Sequence, residues 1–176
     1  MKYLNKISLL LVIALFAFSS CIDKDFALEP TGLTEKPILS NVLAEQADLS
    51  IFLELVEANN LLGNLVGNRT QDQRAVFAPT NQAFLDFLAE NDFSSPADVP
   101  NLANVLRFHI ANPNVSVSDL RTGSFNSIQT ILSGSNIAVV RQQGQLVSLN
   151  GQSVNILRSN TEGNGTIHVI DQILVP

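Results

Sequence analysis

The sequence predicts an α+β domain, and three observations carry that reading. Apolar residues recur at helical spacing through the first third of the folded region. Beyond Gly123 the pattern changes to short apolar runs separated by glycine-bearing turns, as in a β-meander. The last run, Thr166 to Pro176, is apolar on both faces and reads as a strand covered on both sides.

The chain opens with Lys2 and Lys6, an apolar run from Ile7 to Phe18, and Ser19-Ser20-Cys21. This is the layout of a secretory signal, and the run is short for a membrane span. A cysteine directly after two small residues resembles the lipobox of bacterial lipoproteins, in which that cysteine becomes the lipidated first residue of the mature chain. Phe18 stands where an aliphatic residue is usual, and an ordinary signal peptide with an incidental cysteine is the alternative. Residues 1–20 are thus expected to be a lipoprotein signal peptide, Cys21 the lipid attachment that holds the protein to a membrane, and 21–36 a flexible tether. Asp23 and Asp25, close behind the cysteine, resemble the signal that sends some lipoproteins to the outer face of the outer membrane. A solvated linker with chance charges is the competing reading. The expected localisation is that of a secreted bacterial lipoprotein, surface-exposed on the outer membrane.

The folded domain is expected to span 37–176. Ile38, Leu39, Val42 and Leu43 have helical spacing, and Asp48 or Ser50 is placed to cap a second helix with the stripe Phe52, Leu55, Val56 and Asn59. Leu61 to Gly67 reads as a short helix or turn before a polar loop at 68–73. Ala75 to Ala78 then forms a buried strand that Pro79 ends, because proline has no N–H for the ladder. Thr80 and Asn81 are both good N-caps for a helix whose stripe is Phe84, Phe87 and Leu88.

After the loop at 91–100, Asn101 is placed to cap a helix carrying Leu102, Val105 and Leu106. Phe108 to Ala111 reads as a short strand, since Asn112-Pro113-Asn114 is a turn signal. Ser118 to Gly123 is a capped turn. Strands are expected at 127–132, 137–141, 146–149 and 154–157, all in one meander. In the closing run Ile167, Val169, Ile173 and Val175 face one way, and Ile170 and Leu174 the other.

The formal net charge is −6, and it becomes −8 without Lys2 and Lys6. No lysine follows Lys36, and six scattered arginines are the only cations beyond it, which excludes a nucleic-acid footprint. Cys21 is the only cysteine, so the domain core must hold without a disulfide.

Three stretches now stand in order: Val76-Phe77-Ala78-Pro79-Thr80-Asn81-Gln82-Ala83-Phe84, then Leu106-Arg107-Phe108-His109-Ile110, then Asn164-Gly165-Thr166-Ile167-His168-Val169-Ile170-Asp171 with its continuation to Pro176. Together they closely resemble the fasciclin-domain family: its first signature block, its Tyr-His motif and its closing block. The resemblance covers about 37–176. It implies a fasciclin-like wedge, with a β-sandwich-like sheet core and several helices packed on one side. It also implies an extracellular or surface-attached adhesion module that binds a protein or glycan partner, sometimes on a lipid anchor. The motif positions carried over are Thr80, Asn81, His109, His168 and Asp171, in a structural role, with Phe108 and His109 as candidate partner contacts. Phe108 replaces the family's tyrosine and loses a hydroxyl. Asn155-Ile156 stands nearest in type to the Asp-Ile pair by which some animal members bind integrins, and it lacks the carboxylate. Integrin binding is therefore not carried over.

Chemistry is sparsely provided for. His168 and Asp171, three apart on a strand, project to opposite faces and do not clamp one metal. No Gly-x-Ser-x-Gly elbow and no phosphate-binding glycine loop is present, so neither an enzyme nor a cofactor is expected. Thr80, Asn81 and His109 are expected to form one buried polar network at the strand-helix corner. The leading function is a lipid-anchored envelope module for adhesion or assembly. The alternatives are an accessory ligand- or glycan-binding lipoprotein of an outer-membrane nutrient-uptake system and a hydrolase built on a spatial Ser-His-Asp arrangement.

Overall fold

The computed structural model describes residues 39–65, 73–123, 126–143, 145–162 and 164–176. Cys21, the expected signal peptide and the expected tether lie outside them. Chain order is α1 (Leu39–Ala44), a 3-10 turn (Ala47–Leu49), α2 (Ser50–Ala58), α3 (Leu62–Leu65), β1 (Arg74–Pro79) and α4 (Asn81–Glu90). A 3-10 turn (Pro96–Asp98), α5 (Leu102–Phe108), β2 (Ile110–Ala111) and α6 (Val117–Thr122) follow. The remainder is β3 (Ser127–Gln129), β4 (Asn136–Gln142), β5 (Gln145–Leu149), β6 (Ile156–Glu162) and β7 (Gly165–Ile170).

The strands form two open sheets, one in the order β2-β1-β7-β6 and one in the order β3-β4-β5. β1 and β7 run parallel at the centre of the larger sheet, in register from Arg74↔Gly165 to Pro79↔Ile170. Every residue of β7 is buried, as a strand covered on both faces requires. Alternation divides the core in two. Val76 and Ala78 of β1 with Ile167 and Val169 of β7 pack against the helices through Leu43, Phe52, Phe84 and Leu106. Ala75, Phe77 and Ile170 face the smaller sheet through Ile128, Ile137, Val139 and Leu149. The central sheet is thus sandwiched, with helices on one side and a second sheet on the other. Two helices also reach the sheet-sheet core, α5 through its last residue Phe108 and α6 through Leu120.

Several expectations are corrected in detail. Phe108 is the last residue of α5 rather than the first of a strand, and it is buried in the sheet-sheet core while Val105 and Leu106 of the same helix pack in the helical core. The fourth strand of the expected meander leaves it: β6 begins at Ile156, runs to Glu162 and pairs with β7. Its second half is polar, as suits a strand at a sheet edge, and carries no apolar alternation that marks a strand in the sequence. Pro79 is the last residue of β1, at a point where β2 no longer pairs, so its missing N–H costs the ladder nothing. β7 ends at Ile170. Beyond it Ile173 joins the helical core and Leu174 the other, as the expected faces require, but Val175 is exposed.

Candidate functional site

The polar residues of the three motifs are engaged inside the fold. Thr80 has extended backbone and caps α4, its Oγ1 accepting from the Ala83 N–H at 3.1 Å. Asn81 reaches the neighbouring helix. Its Oδ1 accepts from the Ile51 N–H at 2.9 Å, and its Nδ2 donates to the Ala47 carbonyl and the Ser50 hydroxyl, each at 3.0 Å. α2 has Leu49 at its N-cap and no side-chain cap of its own, so Asn81 supplies that function from outside. This corrects the expectation that Asp48 or Ser50 would cap it. Asn101 stands at the N-cap of α5 in the left-handed region, with no capping bond from its side chain.

His109 bridges two other segments. The Leu174 N–H donates to its Nε2 at 3.0 Å, so the proton sits on Nδ1, which donates to the Val105 carbonyl at 2.7 Å. Both ring nitrogens are used and the imidazole is neutral. Burial pulls its pKa from 6.5 down to about 4, outweighing the raising effect of the Val105 bond. The single Thr80-Asn81-His109 network expected from the sequence is therefore not formed, since each residue bonds a different part of the chain. Phe108 and His109, the expected partner contacts, are 1% and 0% exposed and present no surface to a partner.

His168 lies on the opposite face, stacked on Phe77 with ring centroids 5.1 Å apart. Its Nε2–H donates to the Val115 carbonyl and its Nδ1 accepts from the Ser159 hydroxyl, both at 2.8 Å. Burial lowers its pKa too, against a raising effect of the Val115 bond. Ser159 and His168 thus form a serine-histidine pair whose orienting group is a backbone carbonyl. A fully buried imidazole with a lowered pKa is a weak base, and a carbonyl does less than a carboxylate to stabilise the imidazolium. Asp171 lies beyond the strand and accepts from the Asn155 N–H and Nδ2 at 2.8 and 2.7 Å.

Two residues of the closing block have roles that local pattern does not reveal. Asn164 is buried, accepts from the Leu39 N–H at 2.9 Å and donates to the Leu65 carbonyl at 2.6 Å, tying α1 and α3 to β7. A Cβ on Gly165 would stand 1.9 Å from the Arg74 carbonyl oxygen, so only glycine lets β1 lie this close.

The surface offers a groove of about 360 Å³ between α6, β5 and β6. Arg121, Leu146, Val154, Leu157, Arg158 and Ser159 are among its lining. Arg158 also meets Asp48 at 2.8 Å, a pair exposed on both sides and worth about 0–1 kcal/mol. The sequence places Arg121 in a turn and Leu146, Val154 and Leu157 in strands without marking them as a surface site, and it assigns no element to Arg158 and Ser159.

A family model for the fasciclin domain matches residues 47–176. The chain belongs to the fasciclin-domain family. Two Synechocystis proteins are similar to this fasciclin domain. Protein sll1483 is 31% identical over 103 residues, which cover 57% of this chain and 54% of that one. Protein sll1735 is 26% identical over 140 residues, covering 79% of this chain and 98% of that one. Among solved structures, a FAS1 domain pair from the insect cell adhesion molecule fasciclin I superposes with a TM-score of 0.61 at 18% identity. That match covers 79% of this chain and 51% of the pair, and it shows a shared fold. The chain spans about half the length of sll1483 and of the insect pair. In this fasciclin domain all three motifs lie largely inside the molecule, where they organise the core.

Proposed function

We propose that this protein is a lipid-anchored interaction module of the cell envelope, displayed on the outer membrane by Cys21, whose fasciclin domain binds a surface partner for adhesion or assembly. Membership of a family of adhesion and interaction modules supports the reading. The observation that carries it is where the motif residues lie: Thr80, His109 and His168 bond backbone or side chains of the fold itself, which leaves the outer surface for recognition. Binding then belongs to surface loops and strand edges.

The test combines three measurements on intact cells. Metabolic labelling with a radioactive fatty acid is expected to mark the wild type and not Cys21→Ser. Protease added outside is expected to remove the domain. A tagged pull-down after surface cross-linking is expected to retain a partner. A domain that resists external protease in intact cells while remaining cleavable in lysed ones would overturn surface adhesion. The role of accessory binder in nutrient uptake is distinguished by saturable binding of an oligosaccharide to the purified chain.

A further inference from the structure

The groove between α6, β5 and β6 combines three properties that bear on what fits it. First, it borders free strand edges. Among the described residues β6 has only β7 beside it and β5 only β4, so each has one edge with no described neighbouring strand. The groove touches four consecutive residues of β6, 156–159. Successive side chains of a strand point to opposite faces, so contact with all four means that the edge of the strand lines the groove. Second, pairing with β7 breaks here. The register passes from Ile156↔Ile170 to Arg158↔Val169, skipping Leu157, which is 55% exposed. A bulge leaves its extra residue outside the ladder.

Third, its charge opposes that of the domain. Arg121 and Arg158 are the only ionisable side chains among the groove's described lining residues. From Pro37 onward the chain has six arginines against twelve carboxylates, so this is a basic groove on an acidic body. Leu146, Val154 and Leu157 add apolar surface between the two cations. No aromatic ring lines the groove among the described residues, so it lacks the flat face on which sugar rings commonly stack.

Resting on the reading of the domain as an interaction module, we infer that this groove docks an extended, carboxylate-bearing peptide segment of the partner, which adds to the free edge of β6. Main-chain hydrogen bonds along the edge supply affinity. Alternate side chains supply selectivity: apolar ones meet Leu146, Val154 and Leu157, and acidic ones meet Arg121 and Arg158. Arg158 bonds Gln46 Oε1 through Nε and Nη2 and both Asp48 carboxylate oxygens through Nη2, all exposed contacts, so an incoming carboxylate shares a guanidinium held only by weak surface partners.

The probe is a fluorescein-labelled ten-residue peptide alternating glutamate with valine, titrated with the detergent-solubilised full chain and followed by anisotropy. Saturable binding is expected, weakened at least tenfold by Arg121→Glu with Arg158→Glu, and weakened equally when alternate peptide amides are N-methylated. Hydrogen exchange at 156–159 is expected to slow on binding. Equal binding of a lysine-for-glutamate peptide, or indifference to N-methylation, would overturn the inference. So would binding of polygalacturonate through the same arginines without peptide binding, which assigns the groove to an acidic glycan. Thermal melting of the charge-reversed variant shows that it is folded. If it is folded and still captures the cell-surface partner as the wild type does, the location is wrong while the interaction module stands.

Discussion

β6 and β7 are neighbours paired along most of their length, and they are opposites in every other respect. All of β7 is buried, whereas β6 has only half-buried and exposed residues and carries a bulge. β7 lies between two strands, its residues divided between two cores, and β6 has one free edge. The contrast explains why the closing block of the family signature sits on one strand and the proposed recognition surface on the other. A strand buried on both faces tolerates few residues at each position. An edge strand facing solvent is held to little beyond solubility and pairing, so its sequence is freer to follow a partner.

The comparison breaks most sharply at Gly165. Gly165→Ala is expected to force β1 and β7 apart and to cost about 4 kcal/mol or prevent folding, read as a collapse of the urea midpoint. An unchanged midpoint would show that the central pairing yields to a methyl group.

His109→Gln comes next, with an expected loss of about 2–3 kcal/mol at neutral pH, since it disturbs the acceptor for the buried Leu174 N–H and the packing on Phe52. The same variant tests the pH dependence. His109 titrates near its ordinary 6.5 when unfolded and at about 4 when folded, so between these values the unfolded chain binds more protons. Its contribution is therefore complete above 6.5 and is lost as the pH falls toward 4, by about 3 kcal/mol in all. His168 acts in the same direction. Melting curves at stepped pH should fall more steeply below 6.5 for the wild type than for His109→Gln.

At the corner, Thr80→Ala and Asn81→Ala are each expected to cost about 1 kcal/mol, as lost caps of two different helices. Because neither bonds His109, Thr80→Ala or Asn81→Ala combined with His109→Gln should be additive within about 0.5 kcal/mol in denaturant melts. A larger coupling would restore the single network expected from the sequence. Smallest is Arg158→Ala on β6, expected to change stability by less than about 1 kcal/mol while Gly165→Ala next door is severe.

How much of this was legible follows from the kind of signal involved. The capped corner, the apolar stripes and the two faces of the closing run are written over a few adjacent residues, so Thr80, Ile167 and Leu174 could be placed from pattern alone. Pattern does not place Phe108, because four residues between a helix and a turn do not resolve one period from another. β6 was half missed because its outer residues are polar, which in an isolated sequence looks like loop. The groove was not legible at all, since α6, β5 and β6 meet only once the two sheets pack.

The sequence by itself determined the α+β class and most of the buried residues, with Val175 an exception, and it left the secreted-lipoprotein layout of its first residues as an expectation. These depend on local periodicity and composition, which neighbouring residues encode together. Only the tertiary structure decided the partner of each polar motif residue: Asn81 bonds across 30 positions to Ile51, His109 across 65 to Leu174, and Asn164 across 125 to Leu39. A hydrogen bond is satisfied by whatever donor or acceptor the packed core brings within about 3 Å. Apolar pattern states that a residue is inside; it does not state what it meets there.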